Sequence, residues 1–254
     1  MAVDSTKLII PGHGAVYQAA QNTSPGLNPL SKFSLMSTTV SGWTHLGHTS
    51  KANTIAFSKE GGEPTSLDTF LADAVRVINS SNAWSVTVPA LQFDENVLDL
   101  AFNGDWDAAT GGYVVPGTTS PVETALFIYF EDNTGSLGFW LPSTSVTLGE
   151  APSVDTENFL ELPLSASILS VDDTVMPTVD GKPGIMQIFK TGLAAPAAPW
   201  AATTAYSLNN RVSLAGGAIL VATTAGTSGA TAPTAPGAVG GTVTDGTVVW
   251  TRQA

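Results

Sequence analysis

Ser66-Leu-Asp-Thr-Phe-Leu-Ala-Asp-Ala-Val-Arg-Val-Ile-Asn79 is the stretch on which the fold turns. Thr65 and Asp68 have the Thr-x-x-Asp spacing of a capping box. Leu67, Phe70, Leu71, Ala74, Val77 and Ile78 fall on one helical face, so the spacing predicts the chain's one convincing helix over Ser66 to about Asn79. Upstream, Leu35-Met-Ser-Thr-Thr-Val-Ser-Gly-Trp43 alternates as a half-buried strand does. A polar corner follows, Thr44-His-Leu-Gly-His-Thr-Ser50, then a second apolar run, Ile55-Ala-Phe57, and a break at Gly61-Gly62 and Pro64. Downstream, Trp84-Ser-Val-Thr-Val88 and Val97-Leu-Asp-Leu-Ala-Phe102 read as two more strands. Several strands sharing one amphipathic helix predict an α+β core with the helix lying across one sheet face. The stretch holds no catalytic constellation.

Before it, residues 11–33 are rich in Gly, Pro and Asn around Ala15-Val-Tyr17. They read as an arm, either mobile or ordered only against a neighbouring subunit. After it, the chain turns strongly β. Ala125-Leu-Phe-Ile-Tyr-Phe130, the turn Glu131-Asp-Asn-Thr-Gly135 and Leu137-Gly-Phe-Trp-Leu141 spell a hairpin, and Val146-Thr-Leu148 is a short strand. Leu160, Leu162, Leu164, Ala166 and Ile168 alternate with polar residues, and Pro163 among them predicts an edge or a bulge. Val179-Asp-Gly-Lys182 is a turn before a closing strand, Gly184 to Phe189.

A chain of 254 residues allows one large domain, or a medium one with a small appendage. Only 12% of residues are charged, about half the usual share, so the surface relies on Ser, Thr, Asn and Gly and is suited to being covered by other subunits. There is no cysteine, hence no disulfide and no thiolate metal site. No run approaches the roughly 18 apolar residues of a membrane span, and the N-terminus lacks the basic-then-apolar pattern of a secretory signal. The net charge of −12 is uneven: residues 1–193 hold 20 acidic and 7 basic side chains, and residues 194–254 only Asp245 against Arg211 and Arg252. Such a body is unsuited to gripping phosphates, which needs a Lys/Arg surface. It is suited to letting nucleic acid pass, because an acidic wall repels phosphates over about 8–10 Å in ordinary salt.

The candidate reactive groups are sparse. His45 and His48 stand three apart, with His13 the remaining histidine, and no further ligand has recognisable metal spacing, so hydrogen bonding within the corner is expected. Asn103, Asp105 and Asp107 start like a calcium loop, which then fails at Ala108 and Val114, leaving a solvated turn. Asp94-Glu95 and Asp172-Asp173 are adjacent acids of the kind found on turns, and an acid/base hydrolase built on them is the weakest of three readings. No Gly-x-Ser-x-Gly elbow and no phosphate-cradling loop is present, so neither an enzyme nor a cofactor is expected.

The order of pieces in the first 190 residues resembles a family. A Tyr-containing N-terminal arm is followed by a strand ending in Gly42-Trp43, the corner Leu46-Gly47-His48-Thr49-Ser50, a loop with Gly61-Gly62, and Gln92-Phe93-Asp94 before Leu98-Asp-Leu100. This is similar to the major tail tube proteins of long-tailed (siphovirus-type) phages, especially those infecting actinobacteria. The resemblance implies a mainly β fold, a β-sandwich or barrel with one flanking helix. Six-membered rings would stack into a hollow tube, each subunit adding strands to an inner barrel that DNA traverses without specific binding. It also implies the tape measure, tail terminator and distal tail proteins as partners, assembly in the host cytoplasm and residence in the virion tail. Residues 1–193 would be the tail tube domain, with 11–33 as its extended arm.

Residues 194–199 form a Pro/Ala linker, and 200–254 a small β-module. Ala, Gly and Thr fill 35 of the last 61 positions, so few large side chains remain to build a core. Strands are expected at Arg211–Leu214, Ala218–Ala222 and Val248–Trp250. Trp200, Tyr206, Asn210-Arg-Val212, Gly217–Ala222 and Asp245-Gly-Thr-Val-Val-Trp250 resemble small modules related to chitin-binding domains, in which exposed aromatics stack on sugars. The resemblance makes Trp200, Tyr206 and Trp250 the candidate carbohydrate-binding residues, with host-surface glycans as possible partners. So core-poor a module can equally need all three buried, as a decorating knob would. The rival to the tube is therefore an adhesion protein acting through this module.

Overall fold

The densest apolar run of the chain, Ala125 to Phe130, lies in the middle of its largest sheet. A computed structural model describes residues 8–26, 28–37, 40–191 and 197–253. The chain forms two compact units, Met1–Pro25 with Leu30–Thr191, and Gly26–Pro29 with Gly192–Ala254.

In the first unit the strands are β1 (His13–Ala20), β2 (Thr44–His45), β3 (Ala56–Gly61), β4 (Pro64–Thr69), β5 (Ala72–Asn79) and β6 (Asn82–Ala90). The helix α1 (Glu95–Phe102) comes next, then β7 (Asp105–Asp107), β8 (Gly112–Val114), β9 (Val122–Asp132), β10 (Gly135–Leu148), β11 (Leu162–Ile168) and β12 (Gln187–Lys190). The main sheet runs β2-β1-β9-β10-β11-β6-β3, with β12 on β10. The 14-residue β10 is irregular between Leu141 and Thr144; its first half pairs with β12 and its second with β11.

Both faces of the central strands are covered. From β9, Leu126 and Ile128 enter a layer with Val16, Leu46, Val86, Val88 and the α1 residues Val97, Leu100 and Ala101. Ala125, Phe127 and Tyr129 enter the opposite layer with Tyr17, Phe33, Trp43 and Trp140. A strand buried on both faces has no polar side to alternate with, which is why this run reads as continuous apolar sequence. Each such side chain contributes about 1.5–3 kcal/mol by leaving water.

The β9–β10 hairpin forms at the expected turn. Asp132 closes it by accepting from Thr134 N at 2.7 Å, Gly135 N at 3.0 Å and the Thr134 hydroxyl at 2.7 Å, and it holds Ile10 N at 2.9 Å. The Thr134 hydroxyl bond leads in lowering its pKa from the usual carboxylate value to about 2, with the backbone donors adding to it. A carboxyl with a depressed folded value stabilises fully above its ordinary pKa and loses that contribution as pH falls through about 2. We expect the Asp132 carboxyl carbon to titrate near 2 by NMR, and the Ile10 amide shift to follow it.

Several expectations are overturned. Residues 66–79 are not a helix but most of the antiparallel hairpin β4–β5, with Leu67 opposite Arg76 and Thr65 opposite Ile78. Among the described residues the α-helix is α1, where a strand was expected. Asp94 caps it, accepting from Val97 N at 3.1 Å, and Val97, Leu100 and Ala101 are buried at helical spacing. Residues 35–43 are turns around a Val40–Trp43 bridge rather than a strand, Thr38 and Thr39 lying outside the described residues. The supposed arm contains β1, paired along its whole length with β9.

Pro163 is interior, not at an edge, and faces Pro89 across the β6–β11 ladder. The Pro163 carbonyl accepts from Gly149 N at 2.8 Å and the Pro89 carbonyl from Ser50 N at 2.9 Å. N and O of one strand residue point the same way, so both ring nitrogens face away from the ladder and no bond between the two strands is lost.

The second unit holds β13 (Ala198–Pro199), β14 (Ala205–Tyr206), β15 (Arg211–Ser213), β16 (Ile219–Thr224), β17 (Gly226–Thr227), β18 (Thr242–Asp245) and β19 (Val248–Arg252). Its sheet runs β13-β15-β16-β19-β18, and β14 pairs with β17. The end of the expected linker is therefore a strand, β13, parallel to β15, while residues 194–196 lie outside the described residues.

Candidate assembly surface

The two motifs that carry the family resemblance meet in the first unit. Residues 44–50 cross from β1, where Leu46 N donates to Val16 O at 2.9 Å, to β6, where Ser50 N donates to Pro89 O at 2.9 Å. His45 fixes the bend: its Nδ1 accepts from Gly47 N at 2.7 Å, so the ring proton lies on Nε2, 3.0 Å from Leu35 O. Gly47 has a φ of +79°, and a Cβ there would sit 1.7 Å from Gln92 Oε1. Gln92 in turn donates to the capping Asp94 at 3.0 Å. The corner and the Gln-Phe-Asp segment thus fix each other and start α1. Their chemistry is that of a fold determinant, with the histidine spent on hydrogen bonds as expected.

The acids serve turns. Asp107 accepts from Ala109 N at 2.9 Å and from the Thr110 hydroxyl at 2.7 Å, and that hydroxyl leads in lowering its pKa. Asp172 likewise holds Thr174 N at 3.0 Å. Tyr113 donates to Asp99 at 2.6 Å and accepts from Gly104 N at 2.8 Å; burial first, and then Asp99, push its phenol up to about 12. These bonds tie the β7–β8 hairpin to the helix. Among the described residues no group of three or more His, Cys, Asp or Glu is placed to hold a metal, and no helix is long and apolar enough to cross a membrane.

What sequence reasoning missed is the hairpin β4–β5. Its strands pair with each other and belong to no larger sheet. Leu67, Phe70, Leu71, Val75, Val77 and Ile78 are all exposed, Leu71 to 98%. The register puts Leu67 and Ile78 on one face, and Val75 and Val77 on the other. An isolated two-stranded hairpin is marginal in water, and one with apolar side chains on both faces is made to be covered twice. The arm springs from β3 and β6 through Gly61 and Gly62, both with φ above +70°. A Cβ at Gly61 would sit 2.3 Å from Ser81 O, so the close crossing there requires glycine. Beside this root, β3 is the last strand of the main sheet, and its outer side has no strand partner among the described residues.

In the second unit the three candidate sugar-stacking aromatics fall around Asp245. Its carboxylate is buried, accepting at Oδ2 from Trp200 Nε1 at 2.8 Å and Trp250 Nε1 at 3.0 Å, and at Oδ1 from Gly229 N at 2.7 Å. Trp250 is fully buried and has no ring face to offer a sugar, a correction to its candidacy. Tyr206 packs edge-on against it with centroids 4.9 Å apart, and both Tyr206 and Trp200 are half-buried against the core. With so few large residues, the core needs them. Hydrogen bonds to a charged acceptor are worth about 1.5–3 kcal/mol each, and three donors would be stranded together. We expect Asp245→Ala to destabilise this unit by roughly 3–5 kcal/mol, read as an earlier tryptophan-fluorescence transition in urea.

A model of the family described as phage tail tube protein matches residues 1–179. The major tail protein Gp23 of Mycobacterium phage L5 is 28% identical over 180 residues, covering 68% of this chain and 90% of that protein. The major tail protein Gp23 of Mycobacterium phage D29 is 27% identical over 138 residues, 54% and 69% of the two chains. The family match takes in the corner, the hairpin and the helix, and on that span the chain belongs to the phage tail tube protein family.

Proposed function

We propose that this chain is a structural subunit of a phage tail, whose copies form six-membered rings stacked into the tube that carries DNA during infection. The observation that carries the proposal is the β4–β5 hairpin, apolar on both faces and uncovered by its own chain. Polymerisation supplies the cover. The unpaired side of β3 is a second surface that lateral pairing between copies would satisfy, since open strand edges invite strand addition. A heterologous contact closes into a ring when its rotation permits, and stacks when it does not.

The excess of 13 negative charges over residues 1–193 suits a conduit that repels phosphates. Tape measure, tail terminator and distal tail proteins would be its partners, in a virion tail assembled in the host cytoplasm. The second unit would be an outward decoration. Glycan adhesion through it is the weaker reading, because Trp250 is buried.

Negative-stain microscopy of the purified chain tests the proposal. Hollow tubes or six-fold rings are expected; dispersed single particles that bind chitin or cell-wall glycans would favour adhesion and sink the tube.

A further inference from the structure

The first unit also holds a groove, at the start of β3, whereas the hairpin springs from the other end of that strand. The groove, of about 490 Å³, is lined by Leu35, Met36 and Ile55 among others, with exposed His13, His48 and Lys51 around it. The lining includes Lys51 and no Asp or Glu, in a chain with 21 acidic residues. The tip is Phe70 and Leu71, with the exposed carboxylate Asp73 two residues on. Ile55 at the groove and Gly61 at the hairpin root are separated by the length of β3, about 20 Å at ~3.3 Å per residue. Phe70 and Leu71 stand clear of their own chain, so their own groove does not receive them.

We infer that the groove receives the Phe70–Leu71 tip of a second copy of this chain, an inference that rests on the tube reading and names one of its contacts. The apolar pair matches the apolar lining, and the volume lies within the ~300–1,000 Å³ of sites that enclose small ligands. Asp73 meets a rim carrying Lys51 and His48, which fixes the orientation of the docked hairpin. Tip and groove are different surfaces, so every copy that docks leaves its own groove or tip free for the next. Such a head-to-tail contact runs on as a stack when its rotation does not close, the geometry that stacking along an axis requires.

The absence of cysteine makes the contact directly testable. Phe70→Cys combined with Met36→Cys, the latter position 82% exposed, is expected to give a ladder of disulfide-linked multimers after mild oxidation of assembled protein. Each single variant should stop at monomer or dimer. Leu71→Cys with Lys51→Cys, which keeps Phe70, is expected to give the same ladder. Tubes that form but yield no ladder with either pair would overturn the docking while leaving the tube intact. A wild-type chain that never assembles would overturn both.

Discussion

Deleting residues 11–33 is expected to abolish folding of the first unit, leaving no cooperative melt and no near-ultraviolet circular dichroism from its aromatic layer. A dispensable arm would behave otherwise, giving a stable subunit that merely stacks poorly. The difference lies in what β1 touches. It pairs with β9 from His13 opposite Glu131 to Ala20 opposite Thr124, and with β2 on its other side. Its side chains enter both layers: Val16 one, Ala15, Tyr17 and Ala19 the other.

Tyr17 is fully buried, packs edge-on against Phe33 and His45, and donates its hydroxyl to the Ser34 and Ser37 carbonyls. Burial is the main reason its phenol is pushed up, so it stays a donor throughout the neutral range. The deletion also takes Phe33, stacked 4.0 Å from Phe127. Val16, Tyr17 and Phe33 alone remove several times ~1.5–3 kcal/mol, against a whole-domain stability of about 5–15 kcal/mol. A milder variant, Tyr17→Ala, should cost about 3–5 kcal/mol and keep a measurable transition. A deleted chain that still melts cooperatively, with the β9–β10 hairpin protected from hydrogen exchange, would show that β1 is optional.

The outer reading of the chain was legible because it rested on turn chemistry. Glu131 to Gly135 and Val179 to Lys182 announce their hairpins through Asp, Asn and Gly, and Asp180 and Gly181 do adopt positive φ. The alternation from Leu162 to Ile168 is equally plain, since β11 buries every second residue. The errors have distinct physical sources. A strand that carries apolar residues on both faces has them at odd and even positions, so the period of 2 vanishes and a period near 3.6 is found by chance. That happened in β5, where Val75, Val77 and Ile78 mimic a helical stripe.

In α1 the opposite error arose. Val97, Leu98, Leu100 and Phe102 pass for a strand unless the Asp94 cap and the Asn103 terminus, with φ +48°, are weighed first. Short β1 hid among Gly and Pro because its eight residues hold few large apolar groups. The corner and the Gln92–Asp94 segment were found as motifs, but that they touch is a property of the fold alone.

Excising the hairpin, by joining Glu63 to Ser80 through an Asn-Gly turn, is expected to leave a folded subunit that no longer makes tubes. The melting temperature of the first unit should move by no more than about 2 °C, because β4 and β5 pair only with each other and Phe70 and Leu71 bury nothing at home. Asn-Gly suits the two-residue connection of β3 to β6, whose register from Ala56–Thr87 to Gly61–Asn82 is untouched. Assembly is where the loss appears.

Leu67, Phe70, Leu71, Val75, Val77 and Ile78 are each at least 44% exposed. Covering them at up to ~1.5–3 kcal/mol per side chain, discounted for what is already shielded, gives on the order of 5–10 kcal/mol per hairpin. That is comparable with the ~4–15 kcal/mol that association costs in lost freedom, so without the hairpin the contact no longer holds. At 1.4 kcal/mol per factor of ten, losing even half of the gain, about 2.5–5 kcal/mol, raises the critical concentration by roughly 60- to 4,000-fold. Sedimentation of the excised chain at concentrations where the wild type forms tubes should therefore find only monomers or single rings. Single rings would assign the hairpin to stacking and leave lateral closure to the β3 margin, whereas tubes of normal length and diameter would show that these six apolar side chains have no part in assembly.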